Sequence, residues 1–196
     1  MARKLRICAP GLTYHVMSRC IESSEKMKRD SVKNIMEEVI NMALSKYEFE
    51  FVSYTILSNH FHFTIKTVEN GATISRIMQY IKARVAQRYN KMMNRTGPFW
   101  NERFKDIIIE HSDDPESHFF NHLWYQAFNS VRKGYVSDPR KYRYSSINAY
   151  LDENYQSPIK ITLHPFFLAL GDTFSERVKK FLLYEERYRK RMALML

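Results

Sequence analysis

The chain lacks most of what marks an exported or membrane protein. Cys8 and Cys20 are the only cysteines among 196 residues, too few for a disulfide framework and too far apart for a Cys-x-x-Cys motif. A reducing compartment is the expected home, cytoplasmic and on the nucleoid if the partner is DNA. No run approaches the ~18 consecutive apolar residues that a spanning helix needs. The start, Met1-Ala-Arg-Lys-Leu-Arg-Ile-Cys-Ala-Pro10, carries the positive charges of an export signal without an apolar stretch behind them, so export is not expected. Five glycines and six prolines argue against a fibrous or linker-rich chain, and no repeat or low-complexity segment occurs. Negative charge is also short: 21 Asp+Glu against 31 Lys+Arg leave a formal charge of +10. That excess favours a polyanionic partner, with nucleic acid the leading candidate.

What is present suits a folded domain. Hydrophobic residues at 44% and charged residues at 27% are near globular averages, and the length suffices to bury a core. We expect one domain over residues 1–151 and a C-terminal helical extension over 152–196. Residues 13–20 read as a strand. Residues 28–46 read as a helix, with Val32, Ile35, Met36, Val39, Ile40 and Ala43 at helical spacing. Residues 48–57 and 60–67 read as a hairpin around Ser58-Asn59. After Asn70-Gly71, residues 73–94 form a long helix with an apolar stripe through Ile74, Met78, Ile81, Val85, Tyr89 and Met92. Residues 105–110 are a further strand. The order βαββαβ predicts an α+β, ferredoxin-like fold, an antiparallel sheet with two helices on one face and the other face still to be filled. A third helix is punctuated by Asp114 as N-cap, Pro115 in its first turn and Gly134 beyond its end. Residues 152–158 read as a linker, and Thr173-Phe-Ser-Glu176 is a capping box opening a basic C-terminal helix.

Two groups of residues carry chemistry. In His60-Phe61-His62-Phe63-Thr64-Ile65-Lys66 the two-residue period of a strand sends both histidines to one face. Same-face neighbours are roughly 6.5–7 Å apart, close enough for both imidazoles to reach one metal ion. On the third helix His118, His122, Tyr125 and Asn129 share a stripe. Phe120, Trp124, Ala127, Phe128 and Val131 form the opposite, apolar side, expected to pack the helix onto the protein. A row of cations, Arg84, Arg88, Lys91 and Arg95, follows the spacing four, three, four along the second helix; it suits a phosphate backbone or a solvated face equally.

These elements together resemble a known family, the tyrosine transposases associated with repetitive extragenic palindromes (REP), relatives of the single-tyrosine insertion-sequence transposases of the histidine-hydrophobic-histidine (HUH) type. The resemblance covers about residues 10 to 151. It rests on Asn59-His60-Phe61-His62, on Arg88-Tyr89-Asn90 leading to Arg95-Thr96-Gly97-Pro98-Phe99-Trp100, and on Arg103-Phe104-Lys105. It continues through Tyr125-Gln-Ala-Phe-Asn129-Ser-Val-Arg132-Lys-Gly134-Tyr-Val136 and Tyr144-Ser145-Ser146. The resemblance implies that His60 and His62 bind a divalent metal, Mg2+ or Mn2+, that Tyr125 is the nucleophile and that Asn129 is a third ligand. Insertion-sequence relatives carry a glutamine one turn after the tyrosine, and many family members a proline where Ser130 stands. It implies cleavage and rejoining of single-stranded or hairpin DNA through a 5′-phosphotyrosine link. DNA contacts are expected from Arg84, Arg88, Lys91, Arg95, Arg103, Lys105, Arg132 and Lys133, with Tyr89, Phe99 and Trp100 as stacking groups. The oligomeric state is left open between monomer and homodimer.

Two other readings compete. His62-Phe63-Thr64 matches half of a two-histidine phosphoesterase site, but none of His15, His111, His118, His122 or His164 has Ser or Thr two residues on. A domesticated, catalytically weak hairpin-binding protein would keep the same residues without turnover.

Overall fold

The structure, a computed structural model, describes residues 6–194; the first part of the basic start considered above lies outside them. Strand β1 (Thr13–Arg19), helix α1 (Asp30–Lys46), strands β2 (Glu50–Ile56) and β3 (His60–Lys66), helix α2 (Ile74–Met92) and strand β4 (Lys105–Ile108) follow in the expected βαββαβ order. The sheet order is β2-β3-β1-β4, with every neighbouring pair antiparallel. Strand β3, with its two histidines, is therefore flanked on both sides. Strand β4 is shorter than expected, because Ile109–His111 curls into a 3-10 turn.

Helices α1 and α2 cover one face. There Tyr14, Val16, Phe61, Phe63 and Ile65 meet Met36, Val39, Ile40, Ile77, Ile81 and Val85 in the larger core. Tyr89 (8% exposed) and Phe99 (1%) are buried in that core, which leaves neither free to stack on a base. Trp100 is half-buried and donates its indole N–H to the Lys82 carbonyl at 2.9 Å.

The second face holds helix α3 (Pro115–Arg132), opened by Asp114, whose carboxylate accepts from the Ser117 N–H, and followed by Gly134 at φ +72°. Helices α4 (Pro165–Leu168) and α5 (Phe174–Ala193) lie beyond it, α5 starting at the Thr173/Glu176 capping box. A second core joins Phe120, Trp124 and Phe128 of α3 to Phe167, Phe181 and Tyr188, and Trp124 stacks on Phe181 at 4.7 Å between ring centroids. The segment after residue 151 is thus packed onto α3, with Glu185 ion-paired to both Arg140 and Arg189.

The apolar side of α3 packs onto the protein as expected, and its partner there is α5. It turns outward to that helix, and the polar stripe turns inward to the sheet. The sheet face offers polar partners, His15, His62, Ser53 and Thr64, while α5 offers the large aromatic area that Trp124 and Phe128 need. A bulge in β2 contributes: Phe51 pairs with Ile65 but Ser53 with Thr64. The extra residue leaves Phe51 in the first core and Val52 in the second. Among the described residues, no helix is long and apolar enough to cross a membrane.

Candidate functional site

The period of β3 turns His60 and His62 toward α3, and both are buried, at 6% and 3% exposed. Their ring centroids are 5.1 Å apart. The register of β1 sets Arg19 opposite His60, Met17 opposite His62 and His15 opposite Thr64. His15 therefore reaches His62 on the diagonal: its Nε2 lies 3.0 Å from His62 Nδ1, and the rings stack within 8° of parallel. His60 Nδ1 is 2.7 Å from Asn59 Oδ1.

Helix α3 closes the site from above. Tyr125 meets the His62 ring edge-on at 5.5 Å and lies 5.5 Å from His122, whose ring centroid is 3.6 Å from that of His15. His118 stands one turn earlier, 5.7 Å from His122. The Arg132 guanidinium covers the Tyr125 ring at 4.5 Å. Asn129 donates to the Tyr125 carbonyl at 2.9 Å, and its Oδ1 accepts from Arg132 at 3.0 Å. Gln126, beside the tyrosine, ties α3 to the sheet. Its Nε2 donates to Thr64 Oγ1 at 2.7 Å, its Oε1 accepts from Ser53 Oγ at 2.9 Å, and the two hydroxyls are 2.8 Å apart.

Burial governs the charge state of these imidazoles. It pushes His15 and His62 well below the ordinary histidine range, with the neighbouring histidines adding to the effect. His60 is lowered to about 4 by burial, then by Arg19 and Lys133, and His122 to about 3 by burial, then by His118. His122 Nε2 is buried without a hydrogen-bond partner. Near neutral pH the rings are uncharged, the form that ligates metal. Among the described residues, no three His, Cys, Asp or Glu side chains are arranged as a ready metal cage. The donor set on the face of β3 is two neutral imidazoles, which suits a divalent ion whose remaining positions are filled by oxygen.

Arg19 is exposed beside His60, and with Arg132 and Lys133 it makes the histidine end of the sheet positive. The loop after α2 borders the same end, where Ile21 N–H donates to the Phe99 carbonyl at 2.9 Å and Asn101 N–H to the Arg19 carbonyl at 3.0 Å. Arg103 and Lys105 are exposed around that loop. Arg84, Arg88 and Lys91 lie on α2, in the layer across the sheet from α3. Arg88 is ion-paired with Glu38 of α1, and Arg84 bonds Gln87 at 3.3 Å. Lys91 and Arg95 share a shallow pocket with Asn90. The expected residues His60, His62, Tyr125 and Arg132 thus come together, whereas the α2 row does not join them. His15 and Arg19 were missed as site residues. The available signal was the two-residue period of β1 combined with the β1–β3 pairing that the predicted fold requires.

Comparison with known proteins places this geometry. The model of the IS200-like transposase family matches residues 8–117, more than half of the chain; the match includes His60 and His62 and ends before Tyr125. A protein of Haemophilus influenzae named as a REP-associated tyrosine transposase is 26% identical over 136 residues, 61% of this chain and 75% of that protein. The solved structure of a REP-associated tyrosine transposase bound to a REP hairpin superposes with a TM-score of 0.64 at 17% identity, covering 84% of this chain and 94% of the other. At that identity the likeness shows a shared fold. A transposase-like protein from Deinococcus radiodurans aligns over 64% of this chain and 98% of its own at 16% identity, with a TM-score of 0.39, too low to carry weight. With the matched stretch running from before β1 through the histidine pair to the opening of α3, the chain belongs to the IS200-like transposase family.

Proposed function

We propose that this transposase cleaves and rejoins single-stranded or hairpin DNA of palindromic repeats, with Tyr125 as nucleophile and His60 and His62 holding a divalent metal, Mg2+ or Mn2+. The observation that carries the reading is the meeting of the Tyr125 ring with His62 at 5.5 Å on the side of the sheet where His60 also lies. A divalent cation, when bound there, supplies charge to polarise a phosphate oxygen. The Tyr125 hydroxyl attacks the scissile phosphorus. A phosphorus–phenol oxygen bond forms as the bond to the 3′ oxygen breaks, and the phenolic proton ends on the released 3′-OH. One phosphoester replaces another, so the 5′-phosphotyrosine link stays reversible and a strand 3′-OH resolves it without an external energy source.

The chain's own residues do the binding and the orienting. Arg132, over the Tyr125 ring, and Lys133 and Arg19, beside His60, are disposed to receive the phosphates that flank the reacting one. Asn129 would hold the metal as a third ligand through the amide oxygen that now accepts from Arg132 at 3.0 Å. Arg84, Arg88, Lys91, Arg95, Arg103 and Lys105 take backbone phosphates further along the substrate. Hairpin DNA as the substrate is supported by the solved relative bound to a REP hairpin.

Incubation with labelled hairpin DNA and Mn2+ should give a covalent protein–DNA adduct that Tyr125→Phe abolishes. An adduct that survives Tyr125→Phe rejects this nucleophile. A binding-only protein is the second reading, favoured by the engagement of the Asn129 amide with Arg132; tight hairpin binding by the wild type with no adduct would select it.

A further inference from the structure

Each imidazole of the pair on β3 already has one nitrogen engaged inside the protein. His60 Nδ1 faces Asn59 Oδ1 at 2.7 Å. An amide oxygen only accepts, so His60 Nδ1 carries the proton and its Nε2 keeps a lone pair. The orientation of that amide is set independently, because Asn59 Nδ2 donates to the Ser23 carbonyl at 2.9 Å. Ser23 and Glu22 both sit at φ +54°, a left-handed backbone that residues with a side chain keep only where their surroundings hold it. The Cys20 N–H pins the same asparagine through its carbonyl at 2.8 Å. On the neighbouring histidine, His62 Nδ1 faces His15 Nε2 at 3.0 Å between stacked, buried rings. That contact occupies the His15 nitrogen nearest to His62, which sets His15 behind the pair and not beside it as a further ligand.

We propose that Asn59 and His15 are positioning residues that hold His60 and His62 as Nδ1–H tautomers, presenting both Nε2 lone pairs to one divalent cation. The proposal rests on the metal-dependent reading above. Its physical basis is general: a ligating histidine donates its second N–H to a fixed acceptor, which selects the tautomer, orients the ring and raises its basicity. Here one acceptor is the residue preceding His60, and the other crosses from β1. Neither needs to touch the DNA.

The test uses the full-length protein without metal, then with Mn2+ alone. Long-range 15N–1H correlation spectra of the metal-free wild type should show His60 and His62 as Nδ1–H tautomers. His15→Phe keeps an aromatic ring but removes the acceptor, and should free His62 to exchange tautomers. Asn59→Leu should do the same to His60, while Asn59→Asp, which retains an acceptor oxygen, should restore it. Mn2+ titration followed by electron paramagnetic resonance should read about ten- to a hundredfold weaker binding in His15→Phe and Asn59→Leu and near wild-type binding in Asn59→Asp. Metal-free hairpin affinity should not change. An Nε2–H tautomer at either histidine in the wild type, or unaltered Mn2+ affinity in both His15→Phe and Asn59→Leu, overturns the proposal. A wild type that shows both Nδ1–H tautomers but binds no Mn2+ supports the tautomer assignment and overturns the metal reading instead.

Discussion

Imidazoles buried without charge make this fold sensitive to acid. His122 is lowered to about 3 and His164 to about 4, in both cases chiefly by burial, from an ordinary value of 6.5. The unfolded chain therefore takes up protons before the folded one does. The stabilising contribution is complete above about pH 6.5 and is lost as pH falls through the folded values. Thermal melts should show a Tm that declines steadily once pH drops below about 6.5, less steeply in His122→Leu; a flat profile there would contradict the burial of these rings. At the face that holds the histidine pair, His60→Ala or His62→Ala should eliminate adduct formation while salt-sensitive hairpin binding persists, because the proposed phosphate contacts lie on other residues. Parallel loss of binding in a gel-shift assay would reject that separation. The pair was legible in the sequence because strand period alone places both rings on one face. His15 and Arg19 ask for more than period, because placing them beside the pair also needs the register of β1 against a strand 47 residues away.

At the scale of elements, caps and turns were the most readable features. Asp114, Gly134 and the Thr173/Glu176 box end or open helices where local hydrogen bonding demands. The facing of α3 was not readable. An amphipathic pattern says that two sides of a helix differ, and only the neighbouring layers decide which side each receives. Here α5 takes the aromatic side, so Phe181, fully buried against Trp124, acts as a keystone between them. Phe181→Ala should cost about 3–5 kcal/mol, read from urea unfolding of the full chain. A loss under about 1 kcal/mol, within the range of ordinary surface changes, would mean that α5 contributes little to holding α3. The bulge at Val52 was equally invisible, because alternation read from the sequence assumes an unbroken period.

Among the described residues positive charge gathers on helix α5 and, nearer the proposed site, in two places, one at the histidine end of the sheet and one on α2 across it. The latter two should be separable by salt dependence. Removing Arg19 and Lys133 as alanines should lower the slope of log affinity against log salt by about one for each phosphate no longer neutralised, and should also slow cleavage at saturating DNA. Arg84→Ala with Lys91→Ala should weaken binding yet leave the rate of the saturated complex unchanged. A slowed saturated rate in that second pair would move the α2 row into the reacting site.

The residue next to Tyr125 has a consequence for the strand exchange proposed above. Gln126 bonds Ser53 of β2 and Thr64 of β3, so α3 is tied to two strands beside Tyr125; under the proposed function, the severed DNA end would then be what travels between cutting and sealing, with the phenol held as the bench it leaves and its replacement reaches.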